Sequence, residues 1–193
     1  MIGVILGLFI IGGIAAFLIR VRNSLVVLRN RVKDQKAQID VCLKQRYDTL
    51  PNLFETTKAY GEYEKTTLET IVNERRKLGQ TANTQEALTV NSELTKQLGY
   101  FFAVSEQYPE LKTSQHFQTL QKELKSLENK LSKARQFYND TVLLYNNQVM
   151  QFPNNLVAVL FGFQVEEFLK TASEEQKVLS IQAKQFQNSN NHK

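Results

Sequence analysis

The chain has 193 residues, with only 3 prolines, 8 glycines and no tryptophan, a composition suited to long helices rather than sheets. Its one cysteine, Cys42, excludes an intrachain disulfide. The net charge of +5 sits between Arg20 and Lys36, where six basic residues face Asp34 alone; the other 18 basic residues balance 18 acidic ones, which argues against nucleic acid and for a membrane flank.

Residues 1–19 carry no charged side chain. As a helix they rise roughly 28 Å, enough for a hydrocarbon core of about 30 Å, and a helix satisfies every backbone group inside the bilayer. Residues 1–22 are therefore expected to be a transmembrane anchor with a basic flank, contacting the lipid bilayer through residues 1–19. Arg20 and Arg22 mark the membrane interface at its end. Basic residues stay in the cytoplasm, so the expected topology is single-pass, N-terminus out, body in. A cleaved signal peptide is the rival, with Gly13-Ile14-Ala15 as a cleavage site. It lacks a basic n-region, and the apolar stretch continues to Ile19.

The next stretch places Leu25, Leu28, Val32, Ile39, Leu43, Tyr47 and Leu50 at spacings of 3 and 4, interrupted only by Lys36, which predicts an amphipathic helix over 23–48. It is expected to run on from the anchor and to stop at Pro51, with Thr49 capping the next helix. A second helix is predicted over 52–78 on Leu53, Tyr60, Leu68, Ile71 and Leu78, closed by Gly79. Asn83 and Glu86 have the spacing of a capping box, opening a third over 84–108 on Ala87, Val90, Leu94, Leu98 and Phe101.

The strongest periodicity runs from Phe117 through Leu120, Leu124, Leu127, Leu131, Ala134, Tyr138, Val142, Tyr145 and Val149 to Phe152, predicting a helix over 114–152 with a stutter after Ala134. Short connections make neighbours antiparallel, so the fold expected is all-α: an up-and-down antiparallel four-helix bundle with long helices over residues 23–163. The last helix is longer than the others by roughly 20 Å, and its overhang should point to the bilayer. There Leu156, Leu160 and Phe161 belong to an apolar run too short to span, which could pack under the bundle or lie in the membrane interface. Residues 164–193 read as a polar, partly disordered tail.

Several segments together resemble the LemA family. They are Gln38-Ile39-Asp40-Val41, Arg46-Tyr47-Asp48-Thr49-Leu50-Pro51-Asn52-Leu53, Tyr63-Glu64, Tyr108-Pro109-Glu110-Leu111-Lys112, Glu128-Asn129, Ala134-Arg135 with Tyr138-Asn139, Phe152-Pro153-Asn154-Asn155-Leu156 and Phe161-Gly162-Phe163. The resemblance runs from the anchor to about Phe163. It implies a protein of the bacterial inner membrane with an N-terminal anchor, a helical bundle and no established enzymatic activity. It also implies a membrane zinc protease of the HtpX type as a partner. Lys36 and Cys42 depart from the pattern, where Trp and Gln are expected, and so does the tail after Phe163.

The residues offer little catalytic chemistry. There is no Gly-rich phosphate loop, nucleophile elbow, Cys-His metal spacing or Glu-x-x-His pair, so no cofactor and no metal is expected. His116 reads as an exposed turn residue and Cys42 as a half-buried thiol. Glu55, Glu62, Glu64 and Glu69 read as a solvated face, although Glu64 and Asn129 could instead form a register-fixing polar layer. Arg46, Tyr47, Asp48 and Asn52 cluster at the predicted first turn, either as caps or as a partner-binding surface. The expected function is a non-enzymatic, membrane-anchored scaffold or adaptor. The alternatives are a regulator of a membrane metalloprotease, or an enzyme or metal protein whose site has no familiar signature.

Overall fold

The computed structural model describes residues 1–58 and 65–170, and every regular element among them is a helix. Tyr60, Glu62, Tyr63 and Glu64 lie outside the described residues, as does the polar end from residue 171. In chain order the elements are α1 (Ile2–Lys58), α2 (Lys65–Leu78), α3 (Thr84–Ser105), α4 (Pro109–Thr113), α5 (Gln115–Met150) and α6 (Asn154–Leu160). The all-α expectation holds.

The expected break at Pro51 does not occur: α1 passes through it to Lys58. Proline has no N–H, so in a continuous helix the carbonyl four residues earlier loses its donor. That carbonyl belongs to Tyr47, and the side chain of Arg75 on α2 supplies the missing hydrogen bond, Nε donating at 3.0 Å. Thr49, expected to cap a new helix, instead bonds back to the Gln45 carbonyl at 2.9 Å as an interior helical threonine does. The other boundaries follow local chemistry. Asn83 Oδ1 accepts from the Glu86 N–H at 2.9 Å, so the expected cap forms, while the Glu86 carboxylate reaches one residue further back, accepting from the Ala82 N–H at 3.0 Å. Pro109 opens α4, and Ser114 Oγ accepts from the Phe117 N–H at the start of α5.

The chain divides into two compact units. The first comprises residues 1–38 and 133–168. Val21, Leu25 and Val32 from α1 are buried there, as are Tyr138, Val142, Tyr145 and Val149 from α5 and Val157 and Ala158 from α6. Residues 2–19 belong to this unit, yet none of the residues in the most apolar 18-residue window of α1 is buried. By length and composition that stretch can cross a membrane.

The second unit comprises residues 39–132 together with the chain from Leu169. Its core takes Ile39, Leu43, Leu50 and Leu53 from α1, Ile71 and Leu78 from α2, and Leu94, Leu98 and Phe101 from α3. The first half of α5 adds Phe117 to Leu131 at the predicted spacing. The rings of Phe101, Phe102 and Phe117 meet edge to face, 5.6–6.1 Å between centroids. The α5 stripe is buried at ten of its eleven predicted positions; Phe152, beyond the helix end, is 75% exposed.

Beyond α6, the described residues 163–170 are neither helical nor free. Residues 163–168 run along α5, whose polar side chains hold the backbone. Tyr145 Oη donates to the Gln164 carbonyl at 2.8 Å and Tyr138 Oη to the Glu167 carbonyl at 3.0 Å. The buried Asn146 amide donates to the Glu166 carbonyl and accepts from its N–H, both at 2.9 Å. Residues 164–167, placed in the polar tail by the sequence reading, are thus held against α5. Lys170 is held in turn by Gln85.

Candidate functional site

In the second unit, Arg46, Tyr47, Asp48 and Asn52 share α1 but not one surface. Arg46 is buried, 2% exposed, and pairs with Glu128 of α5, which also accepts from Thr95 Oγ1 of α3. Burial lowers the Arg46 guanidinium to about 10. Among the described residues, Arg46 Nε and Asn91 Oδ1 are buried without a hydrogen-bond partner. A polar layer is thus formed by Arg46, Glu128 and Thr95 rather than by the expected pair: Asn129 is exposed, and Glu64 lies outside the described residues. Truncating Glu128 would strand a buried charge, typically a loss of about 3–5 kcal/mol.

Tyr47 is half-buried under Arg75, whose guanidinium lies 3.9 Å from the ring centroid. A Cβ on Gly79 would stand 2.9 Å from Tyr47 Cε2, so glycine is what lets the α2 end close on the ring. Asp48 and Asn52 point outward. Asp48 pairs with Lys44 at 2.8 Å and borders an open groove of about 500 Å³, lined also by Thr49, Glu123, Ser126 and Lys130. Arg46 and Tyr47 thus brace the fold, and only Asp48 and Asn52 remain accessible. Cys42 is half-buried, its thiol pushed up by burial and drawn partly back by Lys130, and His116 is exposed. Among the described residues no cluster of His, Cys, Asp and Glu could hold a metal ion.

In the first unit the structure brings together two predicted interface residues that are far apart in sequence. The Arg22 guanidinium lies 5.5 Å from the centroid of the Phe161 ring. Phe161 and Phe163 flank Gly162, whose φ of +69° lies in the left-handed region. The Gly162 N–H donates to the Val159 carbonyl at 3.2 Å and the Phe163 N–H to the Ala158 carbonyl at 2.9 Å, the Schellman pattern that ends a helix. That closure turns both rings toward α1. There Arg22, Val26, Arg29, Asn30 and Lys33 complete an open groove of about 280 Å³. Leu156, Leu160 and Phe161 are exposed at 63%, 67% and 45%, whereas Val157 and Ala158 on the opposite face of α6 are buried. Arg20 is exposed and does not line the groove. Arg29 and Lys33 belong to the basic flank already counted in the sequence, whereas Val26 and Asn30 are groove residues that charge did not single out. Positions 22, 26, 29 and 33 form one helical stripe, which was readable; the aromatic wall opposite it was not.

Comparison with known proteins bears on most of the chain, and the family match does not include residues 1–34. The description of the LemA family matches residues 35–182, reaching past Phe163, where the resemblance was expected to fade. Magnetosome proteins MamQ 2 and MamQ 1 of Paramagnetospirillum magneticum are each 29% identical to it over 73 residues. The matched stretch covers 38% of this chain and 27% of each relative.

Proposed function

The chain belongs to the LemA family, and on that premise we propose that it is a non-enzymatic, membrane-anchored helical scaffold of a bacterial inner membrane. The anchor is residues 2–19, with the N-terminus outside and the helical body in the cytoplasm. The observation that carries this reading is the continuity of α1. The same helix that exposes an entirely apolar stretch goes on to bury Val21, Leu25 and Val32 in a packed unit. Such a helix couples the packed part of the first unit to the bilayer.

Within the second unit, partner numbers support an antiparallel bundle. Arg46 meets Glu128, and further along α1 Thr49 meets Glu123, so α5 numbering falls as α1 numbering rises. In this reading α6 lies in the interface beside the anchor, with Leu156, Leu160 and Phe161 in the acyl boundary and Arg20 and Arg22 at the headgroups. The recognition surface for a partner is the outward face around Asp48 and Asn52.

Photo-crosslinkers at Gln45 and Asn52, activated in native membranes and followed by mass spectrometry, test the adaptor role. Specific crosslinks to another membrane protein are expected. Recovery of only self-contacts and lipids would overturn the reading. Recovery of an HtpX-type protease would refine it to a protease regulator. Stoichiometric metal in the purified protein would replace it with a metal-dependent activity.

A further inference from the structure

We propose that the groove between α1 and the Phe161-Gly162-Phe163 turn binds the phosphodiester headgroup of an anionic phospholipid. This rests on residues 2–19 crossing the membrane.

Three cations, Arg22, Arg29 and Lys33, and the amide of Asn30 line the groove, and no acidic side chain does. None of the three takes part in an ion pair among the described residues. Arg29 and Lys33 stand four residues apart on one helical face, a like-charge pair that is unfavourable until an anion lies between them. Arg22 is held over the Phe161 ring, which orients its guanidinium without neutralising it. A planar guanidinium presents paired donors that match a phosphate's oxygens.

Position selects a lipid over other anions. Arg22 lies three residues past Ile19, roughly 5 Å along the axis, within the headgroup layer. Arg29 and Lys33 stand roughly 15 and 21 Å past Ile19 along the axis, so a headgroup bound there is drawn up along α1 from the level of Arg22. The exposed Leu156 and Leu160 beside Phe161 offer an acyl chain an apolar surface that a free phosphate or a nucleic acid would leave unused.

The full chain is reconstituted into nanodiscs of phosphatidylcholine with a minor fraction of phosphatidylglycerol, and retained lipid is counted by native mass spectrometry after gentle detergent release. Arg29→Gln with Lys33→Gln removes the groove's cations. Arg31→Gln with Lys36→Gln removes the same net charge from outside the groove. The groove pair should retain about tenfold less phosphatidylglycerol than the off-groove pair, the loss of a charge-assisted hydrogen bond to phosphate. Equal losses in the two variants would mean diffuse attraction and overturn the site. Displacement of all retained lipid by inorganic phosphate would make it a free-phosphate site and overturn the lipid assignment. So would RNA binding that is lost in the groove pair while lipid retention stays unchanged. Insertion into the nanodiscs is scored separately. A chain that inserts but shows no lipid preference defeats only this inference, whereas failure to insert defeats the anchor as well.

Discussion

The carbonyl of Tyr47 explains how a single side chain decides the course of the longest helix. Pro51 deprives it of the usual donor, and a carbonyl left unpaired in a partly buried helix costs about 1–3 kcal/mol. Arg75 meets that demand with its Nε–H and also stacks on the Tyr47 ring, while Gly79 keeps the approach open. Arg75→Ala should therefore destabilise the protein by about 1–2 kcal/mol. In a Pro51→Ala background, residue 51 regains an N–H for the Tyr47 carbonyl, and the same Arg75 substitution should cost less by about 1 kcal/mol. Denaturant unfolding of the four proteins gives the coupling, and additivity within about 0.3 kcal/mol would show that Arg75 does not serve the proline gap. A local reading of residues 45–52 stops the helix at Pro51. The residue that overrides the proline lies 28 positions from Tyr47, and no spacing rule within one helix reaches it.

At the scale of elements, α5 was the most legible and the segment it carries was the least. The long stripe from Phe117 to Val149 is buried throughout because a periodic apolar face has only one way to leave water. Residues 163–168 have no such periodicity: their order comes from Tyr138, Tyr145 and Asn146, which read in sequence as ordinary stripe and near-stripe positions. Burial raises both tyrosine hydroxyls above their usual range near 10, with Glu166 adding to each, Glu167 adding to Tyr138 and Arg29 opposing at Tyr145. The sign follows directly. The fold favours the neutral phenol, so this stabilisation is full below pH 10 and is lost as pH rises through and beyond that value. An ionised phenol also has no proton to donate to the Gln164 or Glu167 carbonyl. Melting of the intact protein in detergent should therefore shift down between pH 9 and pH 11. Tyr138→Phe with Tyr145→Phe should start lower, by about 1 kcal/mol per lost hydrogen bond, and fall less steeply over the same interval. Parallel curves for the two proteins would mean that these hydroxyls do not carry the alkaline loss.

For the whole molecule, the governing quantity is where the charge lies. The excess of 24 basic over 19 acidic residues is accounted for by the stretch from Arg20 to Lys36, immediately after a segment without a charged side chain. Orientation follows the Lys/Arg bias within about 15–20 residues of a membrane helix end, and this flank holds six basic residues. On the proposed anchoring, the bias of basic residues toward the cytoplasmic side sets the orientation. The packing of the first unit adds a second constraint. Arg22 and Phe161 are neighbours, so on the proposed anchoring α6 and the end of α5 share the basic flank's side of the bilayer. A reporter active only in the cytoplasm should be active when fused after Lys193, and a reporter that requires export should be silent there. Replacing Arg20, Arg22, Arg29 and Arg31 with glutamine, while adding three lysines after Met1, should send a measurable fraction of chains in the opposite direction. An export-dependent signal from the unaltered chain, or no change in the altered one, would show that charge does not set the orientation.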